Sequence, residues 1–205
     1  MTIKIDTRER ILEAAMERIM HYGYAKTTMS EIARDCDMSA GNIYRFFASK
    51  LDIAEAMARK FNLEIYQEYA RIARLDSPAS QRLVEFFSYG METTFNKLDS
   101  DAKIMEVAEV LSENRPLFAN EELAQERIHL IEILEDGVAR GEFAAIENPA
   151  FTAEMLQVAI MKFRYPQLFS NLTLPKLRRE LYGTLEILLS ALRAGIQKLD
   201  MKIEH

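Results

Sequence analysis

Three places in this 205-residue chain hold residues whose type and spacing could do chemistry. Glu126 and His129 form an E-x-x-H step. On a helix it sets a carboxylate and an imidazole side by side, as in one half of a carboxylate-bridged di-metal site. Cys36 is the single cysteine and could act as a nucleophile if a base stood beside it. Residues 39–50, SAGNIYRFFASK, combine three aromatic rings (Tyr44, Phe46, Phe47) with Arg45 and Lys50 and contain no acid. That composition suits contact with an anionic surface.

The first two readings lack partners. A di-metal site needs a second E-x-x-H and further carboxylates on facing helices. Neither His21 nor His205 has a glutamate three residues before it. The pair is therefore expected on a solvated helix face. No histidine is paired with Cys36, whose small side chain suits a buried position. The sequence thus points to no catalytic residue, no metal and no cofactor.

A lone cysteine permits no intramolecular disulfide, so a cytoplasmic location is expected. The opening MTIKIDTRER lacks the apolar core of a signal peptide. No stretch approaches the roughly 18 apolar residues of a membrane span, so no membrane partner is expected.

Charge is unevenly placed. The formal net charge is −6. Residues 1–60 carry 10 basic and 9 acidic side chains (+1), while residues 61–205 carry 16 and 23 (−7). The acid-free stretch therefore lies outside the acidic part of the chain.

The elements that must position these residues are helices. Gly and Pro are few, at 7 and 5, and no alternation typical of strands occurs. Asp6 with Glu9, Thr28 with Glu31, and Ser49 with Asp52 each have capping-box spacing. They predict helices over about 7–21, 28–36 and 49–73, with Gly23 ending the first. Ser39 is an N-cap candidate for a further helix over 40–46. Residues 74–80 (RLDSPAS) read as a linker. Longer helices follow over about 79–98, 101–113, 116–140, 149–170 and 174–199, with Pro78, Pro116, Pro149 and Pro175 near their starts.

A short helix, a four-residue turn and a second short helix form a helix-turn-helix. In the second helix Ile43 and Phe47 are four apart and face inward, with Phe46 ambiguous. Ala40, Gly41, Asn42, Tyr44 and Arg45 are then left on the outward face. The small residues allow close approach to a duplex. Asn42 and Arg45 can reach base edges or backbone oxygens, and Tyr44 a phosphate or a thymine methyl. Lys50 is placed for a phosphate.

Residues from about 7 to 56, and above all TTMSEIARDCDMSAGNIYRFFASKLDI, resemble the DNA-binding domain of the TetR-family transcriptional regulators. The resemblance covers about a quarter of the chain. It implies an all-α fold: a three-helix helix-turn-helix domain over 1–56, joined by a long helix to a larger helical ligand-binding and dimerisation domain over 57–205. It implies that Thr28, Tyr44 and Lys50 meet phosphates and that Ala40, Gly41, Asn42 and Arg45 line the groove, with Ser39 a further DNA-binding residue. Double-stranded operator DNA, a largely apolar small-molecule effector and a second copy of the chain, held through the last two helices, are the implied partners. A repressor released by its effector is the implied function. A protein-binding co-activator or adaptor on the same fold is the alternative.

The family usually has Gly where this chain has Asp37, a turn position that favours left-handed backbone. Beyond residue 57 the resemblance rests on length and helical character. Met91, Phe95, Met105, Met155, Met161 and Phe163 are the candidate pocket residues, because Met lines adaptable pockets. Lys162 and Arg164 suit either an anionic ligand or the surface. The stripes Met155, Leu156, Ala159, Phe163 and Leu181, Leu185, Leu188, Leu189, Leu192 suit either a dimer face or burial within one protomer.

Overall fold

The computed structural model describes residues 6–100, 102–164 and 173–196. Its helices are α1 (Thr7–Tyr22), α2 (Met29–Asp35), α3 (Ala40–Ile43), α4 (Lys50–Ala73), α5 (Ala79–Ser100), α6 (Ala102–Asn114), α7 (Phe118–Ala139), α8 (Pro149–Ala159), α9 (Met161–Arg164) and α10 (Leu174–Ala194). Among the described residues there is no strand, and no helix is long and apolar enough to cross a membrane. The helix expected over 149–170 breaks at Ile160, and its part beyond Arg164 lies outside the described residues. The helix expected to reach Leu199 ends at Ala194, before Gly195 with φ +91°, and residues 197–199 lie outside the described residues.

The chain packs as two compact units, and they divide it differently from the split at 56/57. Among the described residues, 96–122 belong with those up to 66, and 67–95 with those from 123 onward. Packing gives the reason. The core of the first unit is built from Ile11, Leu12, Ala15 and Ile19 of α1, Ile32 and Ala33 of α2, Ile43, Phe47, and Ile53, Ala54 and Met57 of α4. Val107 and Leu111 of α6 are buried in that same core. Burying each such aliphatic side chain is worth roughly 1.5–3 kcal/mol.

Charged groups reinforce this unit. Arg115 donates to Asp52 Oδ1 at 2.6 Å and to Glu55 Oε2 at 2.9 Å. The backbone N–H of Asp52 in turn donates to Ser49 Oγ at 3.1 Å. Glu122, almost fully buried, accepts from Arg59 (2.7 Å), Asn62 (2.6 Å) and Tyr66 (2.7 Å). At the start of α1, Asp6 makes no side-chain cap. Glu9, its expected partner, is paired with Lys60 instead.

In the second unit the leucine stripe of α10 faces inward. Leu177, Leu181, Leu185, Leu189 and Leu192 are all buried, as is Leu156 of α8. Tyr69 stacks on Phe86 with ring centroids 3.8 Å apart. Glu142 accepts from the N–H groups of Ala79 (2.8 Å) and Ser80 (3.2 Å), so it caps α5 from a distant loop. Gly141, with φ +74°, stops the helix before it as its position predicts.

The turn after α2 has the geometry its sequence requires. Asp37 has φ 56°, the one non-glycine residue with positive φ among those described. Its N–H donates to Arg34 O (3.1 Å), and that of Met38 to Ala33 O (2.9 Å), which closes a Schellman motif. A β-carbon is disfavoured there, and an anionic side chain at a helix C-terminus opposes the dipole. Asp37→Gly is therefore expected to stabilise the protein by about 0.5–1 kcal/mol, or ~1–4 °C in Tm. Thermal denaturation beside Asp37→Ala, which keeps the strain, checks this.

Candidate nucleic-acid interface

Local capping builds the helix-turn-helix. Thr28 is the N-cap of α2: its Oγ1 accepts from the N–H of Glu31 (3.3 Å), and Glu31 Oε2 accepts from the N–H of Thr28 (2.9 Å). Bonds from the Thr28 hydroxyl and backbone hold the Glu31 carboxyl below its ordinary pKa. The box is thus complete at neutral pH and opens only as pH falls through that lowered value.

Ser39 caps α3, its Oγ accepting from the N–H of Asn42 at 3.3 Å. The α-helical part of α3 ends at Ile43, short of the expected 46. Beyond it the N–H groups of Arg45 and Phe46 donate to Asn42 O (3.1 Å) and Ile43 O (3.0 Å), three residues back. The chain tightens into a narrower helical turn.

The faces separate as the spacing predicts. Ile43 and Phe47 are buried, and the Arg8 guanidinium lies 4.6 Å over the Phe47 ring. Tyr44 is 54% exposed. Phe46 sits at the margin of exposure. Ala40, Gly41 and Arg45 are exposed and Asn42 half-buried. A β-carbon built on Gly41 meets nothing within 4 Å, so this side of α3 is open. Thr28 and Ser39 are exposed at the two helix starts.

Lys50 has a different setting from the others. Its Nζ donates to the carbonyl oxygens of Tyr24 and Thr27, both at 2.7 Å, and lies 4.1 Å over the Tyr24 ring. Burial pushes its pKa below the usual lysine range, against the pull of the Glu106 carboxylate. The same loop is held from α6. Glu106 accepts from the N–H groups of Tyr24 (2.9 Å) and Ala25 (2.7 Å). Lys103 donates to the terminal carbonyls of α1, Met20 O (2.6 Å) and His21 O (2.9 Å). Gly23 has φ +93°, a backbone that side chains rarely adopt, and a β-carbon there would also come within 2.9 Å of Glu106 Oε2 and push that carboxylate aside.

Sequence reasoning missed Lys103 and Glu106. Their i,i+3 spacing is that of any surface ion pair, and the groups they serve are some 80 residues away. Glu106→Ala is expected to lower stability by about 1–2 kcal/mol, because two N–H groups lose a charged acceptor. A fall in the denaturant midpoint, smaller for Glu106→Gln, checks this.

The E-x-x-H pair separates. Glu126 is 2% exposed, not solvated, and is held by Gln157 and Arg164. His129 Nδ1 lies 3.5 Å from Glu132 Oε2. Among the described residues no cluster of His, Cys, Asp and Glu could hold a metal. Of the pocket candidates, Met91 and Phe163 line one small cavity. Phe95 and Met161 are half-buried, Met155 is exposed, and Met105 belongs to the first unit. Lys162 pairs with Glu180 at 2.6 Å. An open groove of about 580 Å³ lies between α5 and α10.

Comparison with known proteins gives this arrangement a family. The model of bacterial regulatory proteins of the tetR family matches residues 11–57, and that of the tetracyclin repressor-like C-terminal domain matches residues 79–183. The chain belongs to the TetR family. The second match extends the likeness well past the region where the sequence alone carried it.

Two curated relatives are named as HTH-type transcriptional regulators. YvkB of Bacillus subtilis (strain 168) is 41% identical over 51 residues, covering 25% of this chain and 27% of its own. SrpR of Pseudomonas putida is 30% identical over 99 residues, covering 41% of this chain and 46% of its own. The chain thus spans less than half the length of these two relatives. The TetR fold is shared with SmeT, the repressor of the Stenotrophomonas maltophilia multidrug efflux pump SmeDEF. That structure has a TM-score of 0.65 at 19% identity, over 98% of this chain and 97% of the other. A SmeT–triclosan complex matches with a TM-score of 0.63 at 19% identity, over 97% and 98%. The TetR family comprises transcriptional regulators, not enzymes.

Proposed function

We propose that this TetR-family chain is a cytoplasmic, ligand-responsive repressor. It binds a near-palindromic operator as a homodimer and leaves it when a small, largely apolar effector binds. The observation that carries the reading is the open face of α3, with Gly41 clear of neighbours and Tyr44 and Arg45 exposed beside buried Ile43 and Phe47. In this reading residues 1–56 meet DNA. Thr28, Ser39 and Tyr44 take phosphates, Ala40 and Gly41 allow close approach, and Asn42 and Arg45 read base edges. Lys50 holds the Tyr24–Thr27 loop and offers its remaining donor to a phosphate. Residues 57–205 carry the effector pocket and dimer face, and Met91 and Phe163 are the pocket candidates that share a cavity. SmeT, a repressor also solved with triclosan, supports the effector part of the reading.

The proposed dimer face lies on the last two long helices, and on α10 it is on the side away from the buried leucine stripe. On α8, Phe151, Met155 and Val158 are exposed at helical spacing. On the outer side of α10, Gly183, Ile187, Ala191 and Ala194 are exposed.

The test is titration of the protein against genomic duplex fragments at two salt concentrations. Contacts to about six phosphates lower the affinity by roughly 10³ between 50 and 200 mM salt. An absence of binding at low salt removes the proposal. Changing Asn42 or Arg45 should alter which operator variants bind best, by about 1–3 kcal/mol per base pair read, while Tyr44→Phe weakens all variants alike.

A further inference from the structure

The second unit encloses a small cavity of about 10 Å³, room for about one water. Tyr69, Phe87, Met91, Ile160 and Phe163 line it, with the carboxylate of Glu126 and the side chain of Arg164. The carboxylate is the fixed part. Glu126 stands within α7 and accepts from Gln157 Nε2 at 3.3 Å. Gln157 is itself pinned: its Nε2 also donates to Leu123 O (3.0 Å), and its Oε1 accepts from Arg127 (2.9 Å). Glu126 and Gln157 are 2% and 3% exposed. Arg164 is the more exposed partner of the ion pair and sits at the end of the four-residue α9.

A carboxylate buried this deeply must keep a cation beside it, because an unpaired buried charge is strongly unfavourable. An occupant that enlarges the cavity and moves Arg164 aside must therefore bring a positive charge of its own. An anion in the same place would face the fixed carboxylate. Tyr69, Phe87 and Phe163 bring three rings to the lining, and a ring whose face meets the occupant attracts a cation and not an anion. Met91 adapts its shape readily to an incoming apolar body.

We propose that the effector is an organic cation: a protonated amine on a compact apolar, ring-bearing body. Its nitrogen pairs with Glu126 in place of Arg164, and its body fills the space between Met91, Phe87 and Phe163. This rests on the repressor reading above and adds the charge class of its ligand.

Three probes with one body and three charges test it: 4-tert-butylbenzylamine, 4-tert-butylbenzyl alcohol and 4-tert-butylbenzoate. Calorimetry on the full chain without DNA should show the amine binding at least about tenfold tighter than the alcohol, with no heat from the benzoate. Glu126→Gln should erase the difference between amine and alcohol. Arg164→Lys, which keeps a cation beside the carboxylate but removes the guanidinium fork, should tighten amine binding several-fold and covers the case in which Glu126→Gln fails to fold. Benzoate binding as tightly as the amine overturns the assignment, as does binding of none of the three. Operator titration of the ligand-free protein is the separate arm. If the duplex does not bind while the amine does, the repressor reading fails and the cation site stands.

Discussion

Phe47→Ala is expected to cost about 3–5 kcal/mol of stability and to abolish operator binding. The ring is buried in the core formed by α1, α2 and α4, and Arg8 lies over its face. Truncation leaves a cavity at the point where the chain turns from α3 into α4. The outward residues of α3 have no other anchor of this size than Ile43. Denaturant unfolding followed by far-UV circular dichroism measures the stability, and fluorescence anisotropy with a labelled duplex the binding. Phe47→Leu, which fills most of the space, should retain measurable affinity. If Phe47→Ala keeps the wild-type affinity, α3 is held by something other than this packing.

The second large effect concerns association. Ile187 is 72% exposed in the protomer, so Ile187→Asp should change protomer stability by no more than about 0.5 kcal/mol. Across the proposed twofold axis it brings two carboxylates together in a face that otherwise excludes water. The expected outcome is a monomer by sedimentation. Operator affinity should fall by about 10²–10⁴, because each head then binds its half-site without the effective concentration that the other supplies. Val158→Asp should behave alike if α8 shares the face. A variant that still sediments as a dimer places the interface elsewhere.

Much of this was legible in the sequence because it is local. Thr28 with Glu31, Ser39 and Gly141 mark helix ends through bonds to residues a few positions away, and the structure uses each of them so. The left-handed turn at Asp37 was legible through the family resemblance, which puts Gly at that position. What was not legible depends on partners distant in the chain. Glu126 reads as a surface residue until Gln157 and Arg164 are brought to it. The leucines of α10 fit an inward or an outward face equally well, and only the packing of the unit decides. Val107 and Leu111 give no sign that they complete a core begun at Ile11. Asp6 had a proper capping partner in Glu9, and lost it to Lys60.

The grip of α6 on the loop after α1 bears on protein engineering. Exchanging DNA-binding heads between family members at the end of the matched N-terminal segment, near residue 57, looks simple in an alignment. It would leave Glu106, Lys103, Val107 and Leu111 facing a foreign loop and a foreign core. A graft that also carries residues 96–122 keeps the backbone donors of Tyr24 and Ala25, the carbonyls at the end of α1, and the side chains that serve them within one ancestry. The transplantable part of this chain is discontinuous in sequence, and chimeras cut accordingly should keep the donor's operator preference where those cut at 57 lose it.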